Sequence, residues 1–174
     1  MEKGYIQVYT GNGKGKTTAA LGLALRAVGH GLRVLIIQFA KGHISYSELN
    51  SGQKLAPELT IVRVGGDNFI SREYPNPEDI QLAQNGFALA KRSVDSREYD
   101  IVILDEINVA VDYGLIPLRD LLHLLENKPD EVELVLTGRN ARIEVLEMAH
   151  LVTEMVERKH YYAQGIPPRM GIER

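Results

Sequence analysis

The stretch YTGNGKGKTTAALG, residues 9–22, constrains the fold more than any other part of the chain. It sets three glycines and two lysines between an apolar segment, YIQVY (5–9), and an alanine- and leucine-rich run. Glycines let successive amides turn inward to form an anion-binding concavity, and a helix starting near Lys16 adds its positive end. The order strand, glycine loop, helix places a phosphate site at the carboxyl end of a strand. Gly15-Lys16-Thr17 matches the second half of the usual phosphate-loop pattern, whereas Thr10 stands where the first glycine of that pattern falls. Gly11 and Gly13 are shifted inward instead. A dinucleotide fingerprint fails on spacing, because Lys16 occupies the position of its third glycine.

Within this loop, Gly11, Asn12, Gly13, Lys14, Gly15, Lys16, Thr17 and Thr18 form the expected ATP- and phosphate-binding set. Lys16 has the reach for the outer phosphates, and the Thr17 hydroxyl suits Mg²⁺. Lys14 adds a second positive charge, directed either to a triphosphate or to water. A second motif, IVILDE (101–106), has the form of the strand that presents a metal-linked aspartate to a nucleotide. Asp105 is the expected Mg²⁺ partner, directly or through water. Glu106 falls where many ATPases hold the base that activates water. Arg139, in LVLTGR, sits at a strand end, either neutralising phosphate charge or serving as a surface arginine at a turn. The five histidines show no metal-ligand spacing.

Strand and helix patterns alternate along the whole chain. RVLIIQF (33–39) and DIVILDE (100–106) read as strands buried on both faces, LTIVRV (59–64), VELVLTG (132–138) and LVTEM (151–155) as further strands. The helix after the glycine loop spans about Lys16 to Val28. Asn76 caps a helix with Pro77 in its first turn, and Ile80, Ala83, Phe87, Ala90 and Val94 give that helix one apolar stripe. Pro117 opens a leucine-rich helix, Asn140 caps a short one, and AKGHISYSELNSGQK (40–54) reads as a loop. The expected fold is α/β: a three-layer, RecA-like phosphate-loop architecture around a mostly parallel sheet of about six strands. In such sheets ligands bind beyond the carboxyl ends of the strands, where the three motifs fall together.

A chain of 174 residues fits one domain, expected over 1–174. Twenty basic against twenty-three acidic side chains argue against a nucleic-acid partner. The lack of cysteine excludes disulfides and iron–sulfur clusters. No apolar run reaches the roughly 18 residues of a membrane span, and no signal-peptide core is evident, so a cytoplasmic protein without a membrane partner is expected. The residues alone thus give an ATP- or GTP-binding domain with Mg²⁺. They leave hydrolysis, phosphoryl transfer to a small molecule, and binding without catalysis open.

The segments YTGNGKGKTTAALGLALRAVGHG, QFAKG, LDEINVAVDYGLI, LVLTGRNA and LVTEMVERKHYYAQGIPPRMGIER, in this order, resemble ATP:cob(I)alamin adenosyltransferases of the phosphate-loop type, a family of cobalamin biosynthesis and salvage. The resemblance implies transfer of the 5′-deoxyadenosyl group of ATP to the Co(I) centre of a reduced corrinoid, with release of tripolyphosphate. It also implies a homodimer and an electron donor such as a flavoprotein. Lys16, Asp105 and Glu106 would then serve catalysis by holding the leaving triphosphate and its Mg²⁺, and Glu106 would not act as a base. Family members often carry Phe-Thr-Trp in the segment matching NFISRE. Phe69 matches the phenylalanine on the corrinoid side, and Ser71 stands in place of the tryptophan. Longer members cover the nucleotide with an extra amino-terminal segment; here the loop GHISYSELNSG and the carboxyl tail, about 157–174, are the expected closing elements.

Overall fold

The computed structural model describes residues 2–39, 47–66 and 70–173. Six strands form one sheet: β1 (Ile6–Thr10), β2 (Val34–Gln38), β3 (Leu59–Arg63), β4 (Ile101–Asp105), β5 (Glu133–Thr137) and β6 (Leu151–Glu154). Their order is β3-β2-β4-β5-β1-β6, and every pairing is parallel. This is the RecA-like phosphate-loop fold expected from the sequence, with all six strands parallel.

The central strands are buried at every position because helices cover both faces. On one face Val34, Ile36, Ile101, Ile103 and Val135 pack against α1 (Lys16–Gly29). Ala20, Ala24 and Ala27 supply the contact, so the helix lies close to the sheet. On the other face Leu35, Ile37, Val102, Leu104, Leu134 and Leu136 meet α3 (Pro77–Ser96), α4 (Ile107–Asp112), α5 (Leu118–Glu126) and α6 (Ile143–Met148). Each fully buried Leu or Ile contributes about 1.5–3 kcal/mol. The α3 start is as read from sequence: the Asn76 side chain accepts from the Asp79 N–H at 2.8 Å.

Two expectations change. Part of the polar stretch read as a loop is helical, as α2 (Ser47–Lys54). Its only buried residue is Gly52, so no apolar stripe announces it. A Cβ at Gly52 would stand 2.9 Å from Ile61 Cδ1, and glycine lets this helix approach β3. Asn140 does not cap the short helix. It is left-handed at φ 56°, incompatible with the extended backbone of a cap, and its Nδ2 donates to Asp112 Oδ2 at 2.9 Å. Arg142 precedes α6 instead.

Edge strand β6 also serves the site. Its side chains are exposed, but the chain following it runs under the glycine loop. The Gly13 N–H donates to the Met155 carbonyl at 2.7 Å, and the Met155 N–H to the Thr10 carbonyl at 2.9 Å. Gly11 is held at φ +92°, and a Cβ there would lie 2.5 Å from the Met155 oxygen. The inward shift of the loop glycines therefore has a packing reason in the close approach of Met155.

Candidate active site

The glycine loop joins β1 to α1 at the carboxyl ends of the strands, beside the ends of β4 and β5. A cavity of about 950 Å³ opens there. Its walls include loop residues Asn12 to Thr18, together with Glu48, Glu106, Tyr113, Arg139 and part of the carboxyl tail. Small-molecule sites commonly measure about 300–1,000 Å³, so this one is large enough for a nucleotide.

Lys16 is nearly buried, and its amine donates to the carbonyls of Gly11 at 2.8 Å and Gly13 at 2.9 Å. Burial pushes its pKa below the ordinary lysine value, and Arg139 adds to this, while Glu106 and Asp105 oppose it. Asp105 is fully buried. Its Oδ1 accepts from the Thr17 hydroxyl at 2.9 Å and from the Thr137 hydroxyl at 2.7 Å. Its Oδ2 accepts from Gln38 Nε2 at 3.3 Å, and the same amide donates to Glu48 Oε1 at 3.1 Å. The β2–β4 register explains the pairing, since Gln38 lies directly beside Asp105.

Glu106 follows Asp105 with left-handed backbone at φ 62°, which turns the chain from β4 into α4. A non-glycine residue there is uncommon and needs support from its surroundings. Thr137 gives it, because its Oγ1 accepts the Glu106 N–H at 2.9 Å while donating to Asp105. Arg139 follows Gly138, whose φ of +130° and close approach to Asn108 fix the turn against α4.

The structure thus gathers Asn12, Gly13, Lys14, Gly15, Lys16, Thr17, Thr18, Glu106 and Arg139 on one cavity, with Asp105 behind Thr17 and Gly11 closing the loop. Lys14 points to the carboxyl tail, where its amine contacts Tyr161, Ile172 and Glu173. Ser71 is exposed, accepts from the Tyr74 N–H at 3.3 Å, and is not among the described residues lining the cavity. Phe69 and the first part of the expected closing loop lie outside the described residues. No spacing motif in the sequence assigns a role to Gln38, Glu48, Thr137 or Glu173. QFAKG and LVLTGR contain the first and third of these, but only the sheet register reveals that both flank Asp105.

Among the described residues no three or more His, Cys, Asp or Glu side chains gather as a metal site. That agrees with Mg²⁺ chemistry at phosphate loops, where one or two protein oxygens suffice and phosphates and water complete the shell. The Thr17 proton is committed to Asp105, which leaves lone pairs of the Thr17 oxygen for a cation. The residues present fit the ion. No described helix is long and apolar enough to cross a membrane.

A glycine-lysine loop after β1, a threonine tied to the aspartate ending β4, and a parallel sheet of this order define a phosphate-loop nucleotide-binding protein. The sequence matches the family described as ATP:corrinoid adenosyltransferase BtuR/CobO/CobP over residues 2–174, and the chain belongs to that family. It is 36% identical over 172 residues to a corrinoid adenosyltransferase of Escherichia coli K12, covering 99% of this chain and 86% of that protein. It is also 36% identical over 173 residues to a corrinoid adenosyltransferase of Sinorhizobium, covering 99% and 81% of the two chains. Solved structures with the same fold include the flagellar accessory protein FlaH of Methanocaldococcus jannaschii. It aligns with a TM-score of 0.57 at 14% identity, covering 88% of this chain and 72% of its own. A KaiC-like protein of Pyrococcus horikoshii aligns with a TM-score of 0.57 at 18% identity, covering 91% and 75%. These two bear on the fold alone. Family membership makes the chain a transferase and implies ATP and a corrinoid as its substrates.

Proposed function

We propose that this protein joins the 5′-deoxyadenosyl group of ATP to the Co(I) centre of a reduced corrinoid, giving adenosylcobalamin or a precursor and free tripolyphosphate. The observation that carries the reading is one cavity lined by the glycine-lysine loop, Glu106 and Arg139, in a chain that matches the adenosyltransferase family from residue 2 to 174. Co(I) supplies the electron pair for the new Co–C5′ bond, and the pair of the broken C5′–O bond leaves with the triphosphate. The cobalt is itself the nucleophile, so no protein base is required.

Catalysis then consists of alignment and of stabilising charge on the leaving group. The loop amides and the Lys16 ammonium take the growing negative charge, and Arg139, lining the same cavity, adds a second positive centre. Thr17, with Asp105 behind it, would hold Mg²⁺, which would supply positive charge against the triphosphate. Asp105 orients the Thr17 hydroxyl, and Glu106, on the same cavity, would assist the ion or its waters. A one-electron donor, of which a flavoprotein is one kind, delivers the corrinoid as Co(I), and the working form is a homodimer in the cytoplasm.

The test supplies MgATP and a corrinoid chemically reduced to Co(I), with products read by phosphorus NMR and visible absorption. Tripolyphosphate together with a light-sensitive Co–C bond is expected. ADP with phosphate, or ADP with a phosphorylated acceptor, would replace this reading with hydrolysis or a kinase.

A further inference from the structure

The two lysines of the glycine loop have different partners: the Lys16 amine donates to the loop carbonyls of Gly11 and Gly13, and the Lys14 amine donates to the carboxyl tail. An ammonium has three hydrogens to donate. Those of Lys14 meet three acceptors of the carboxyl tail: Glu173 Oε1 at 2.7 Å, the Tyr161 hydroxyl at 3.1 Å and the Ile172 carbonyl at 3.1 Å. Around this contact Glu173 also accepts from the Tyr161 hydroxyl and from the Arg169 backbone N–H at 2.8 Å. The Arg169 guanidinium donates to Glu173 at 3.1 Å and lies 4.8 Å from the Tyr161 ring centre. Glu173 is thus the hub of a cluster whose members are separated by up to 159 residues in sequence. The segment it pins is also a wall of the cavity, through His160, Pro168 and Ile172.

We propose that Lys14 is the anchor of the carboxyl-terminal tail, not a phosphate ligand, and that Glu173 is the positioning residue that makes the tail a wall of the nucleotide cavity. The loop then divides its two lysines by task. Lys16 serves the phosphates, and Lys14 joins the floor of the site to its cover, so that the cavity is complete only with the tail in place. A free Lys14 would instead make Glu173 a competitor of the triphosphate, and the two arrangements differ in sign. If Glu173 positions the tail, its removal weakens nucleotide binding; if it competes for Lys14, its removal strengthens binding. The proposal rests on ATP as the nucleotide, but half of its test needs no nucleotide.

The variants are Glu173→Gln, Lys14→Gln and the two combined, in the full-length chain. Trypsin cleavage at Arg158 and Lys159 reports tail release without ligand, and calorimetry with MgATP, without corrinoid, reports affinity. Each single variant is expected to speed tail cleavage and to weaken MgATP about three- to tenfold, the scale of one net hydrogen bond at a partly exposed site. The double variant is expected to match either single one, since both break the same link. Tighter or unchanged MgATP binding by Glu173→Gln would overturn the proposal. So would a loss in Lys14→Gln that adds to that of Glu173→Gln, or unchanged cleavage in either variant.

Discussion

The inner and outer walls of the nucleotide cavity are held by different forces. Behind the inner wall Gln38, Asp105 and Thr137 are each 0% exposed, and their hydrogen bonds run between the neighbouring buried strands β2, β4 and β5. On the outer wall the tail carries exposed Val156, Tyr162 and Met170, and its contact with the loop is ionic, through side chains that are 39% exposed at Lys14 and 15% at Glu173. Packing fixes the first wall with low dielectric and no room to rearrange. Charge in contact with water fixes the second, which leaves it open to salt and acid. A site that must hold a triphosphate firmly and still admit a bulky corrinoid has use for one wall of each kind.

The largest expected effect comes from removing the charge between the walls. Lys16→Ala is expected to lower the rate of Co–C bond formation at least a hundredfold, on the scale of deleting a preorganised charge-stabilising group. An unimpaired variant would remove Lys16 from its role. Next comes a lesion confined to the inner wall. Thr137→Val deletes the donor to Asp105 and the acceptor of the Glu106 N–H, and is expected to cost about tenfold in kcat/KM and to raise the Mg²⁺ concentration needed for half activity. Thr137→Ser keeps the hydroxyl and is expected to restore most of both, so equal damage in the two variants would argue for methyl packing instead.

The pH profile probes the same wall more gently. Burial holds the Lys16 pKa in the free protein below that of an ordinary lysine, so its proton leaves at a lower pH. The alkaline limb of kcat/KM is therefore expected below the pH at which an exposed lysine titrates, and to vanish in Lys16→Arg if any activity remains. The smallest effect belongs to the outer wall. Hydrogen bonds from Arg169, Lys14 and Tyr161 hold the Glu173 carboxyl well below its ordinary pKa. A depressed carboxyl pKa means the pinned tail is fully favoured above the ordinary value and is lost only as pH falls through the depressed one. At neutral pH salt is the better lever: 0.5 M KCl is expected to speed tail cleavage a few-fold while leaving the thermal midpoint of the domain almost unmoved.

The same contrast separates what was readable in the sequence. β2, β4 and β5 announced themselves as apolar runs because both faces are covered, and Asn76-Pro77 marked the start of α3 by local capping chemistry alone. The glycine loop was legible because its backbone demands glycine, with Gly11 at φ +92° and Gly15 at φ +124°. α2 was not, since it buries only a glycine against Ile61 and shows no stripe. Asn140 misled because the same side chain that caps helices also tolerates left-handed backbone, and here it ties the Arg139 turn to Asp112. Thr137 and Gln38 became partners of Asp105 only once the strand order brought β5 and β2 to either side of β4. The phosphate-loop spacing singles out Lys16 but leaves the direction of Lys14 open, and only the folded tail shows where Lys14 goes.

The most direct trial is a crystal structure of the protein with MgATP and a corrinoid. The ribose 5′ carbon should face the ring, with the three phosphates lying as one unit along residues 11–17 and Mg²⁺ on the Thr17 oxygen. A nucleotide whose sugar points away from any space able to admit a tetrapyrrole-like ring, with only its terminal phosphate directed at an acceptor or a water beside Glu106, would contradict adenosyl transfer at this site.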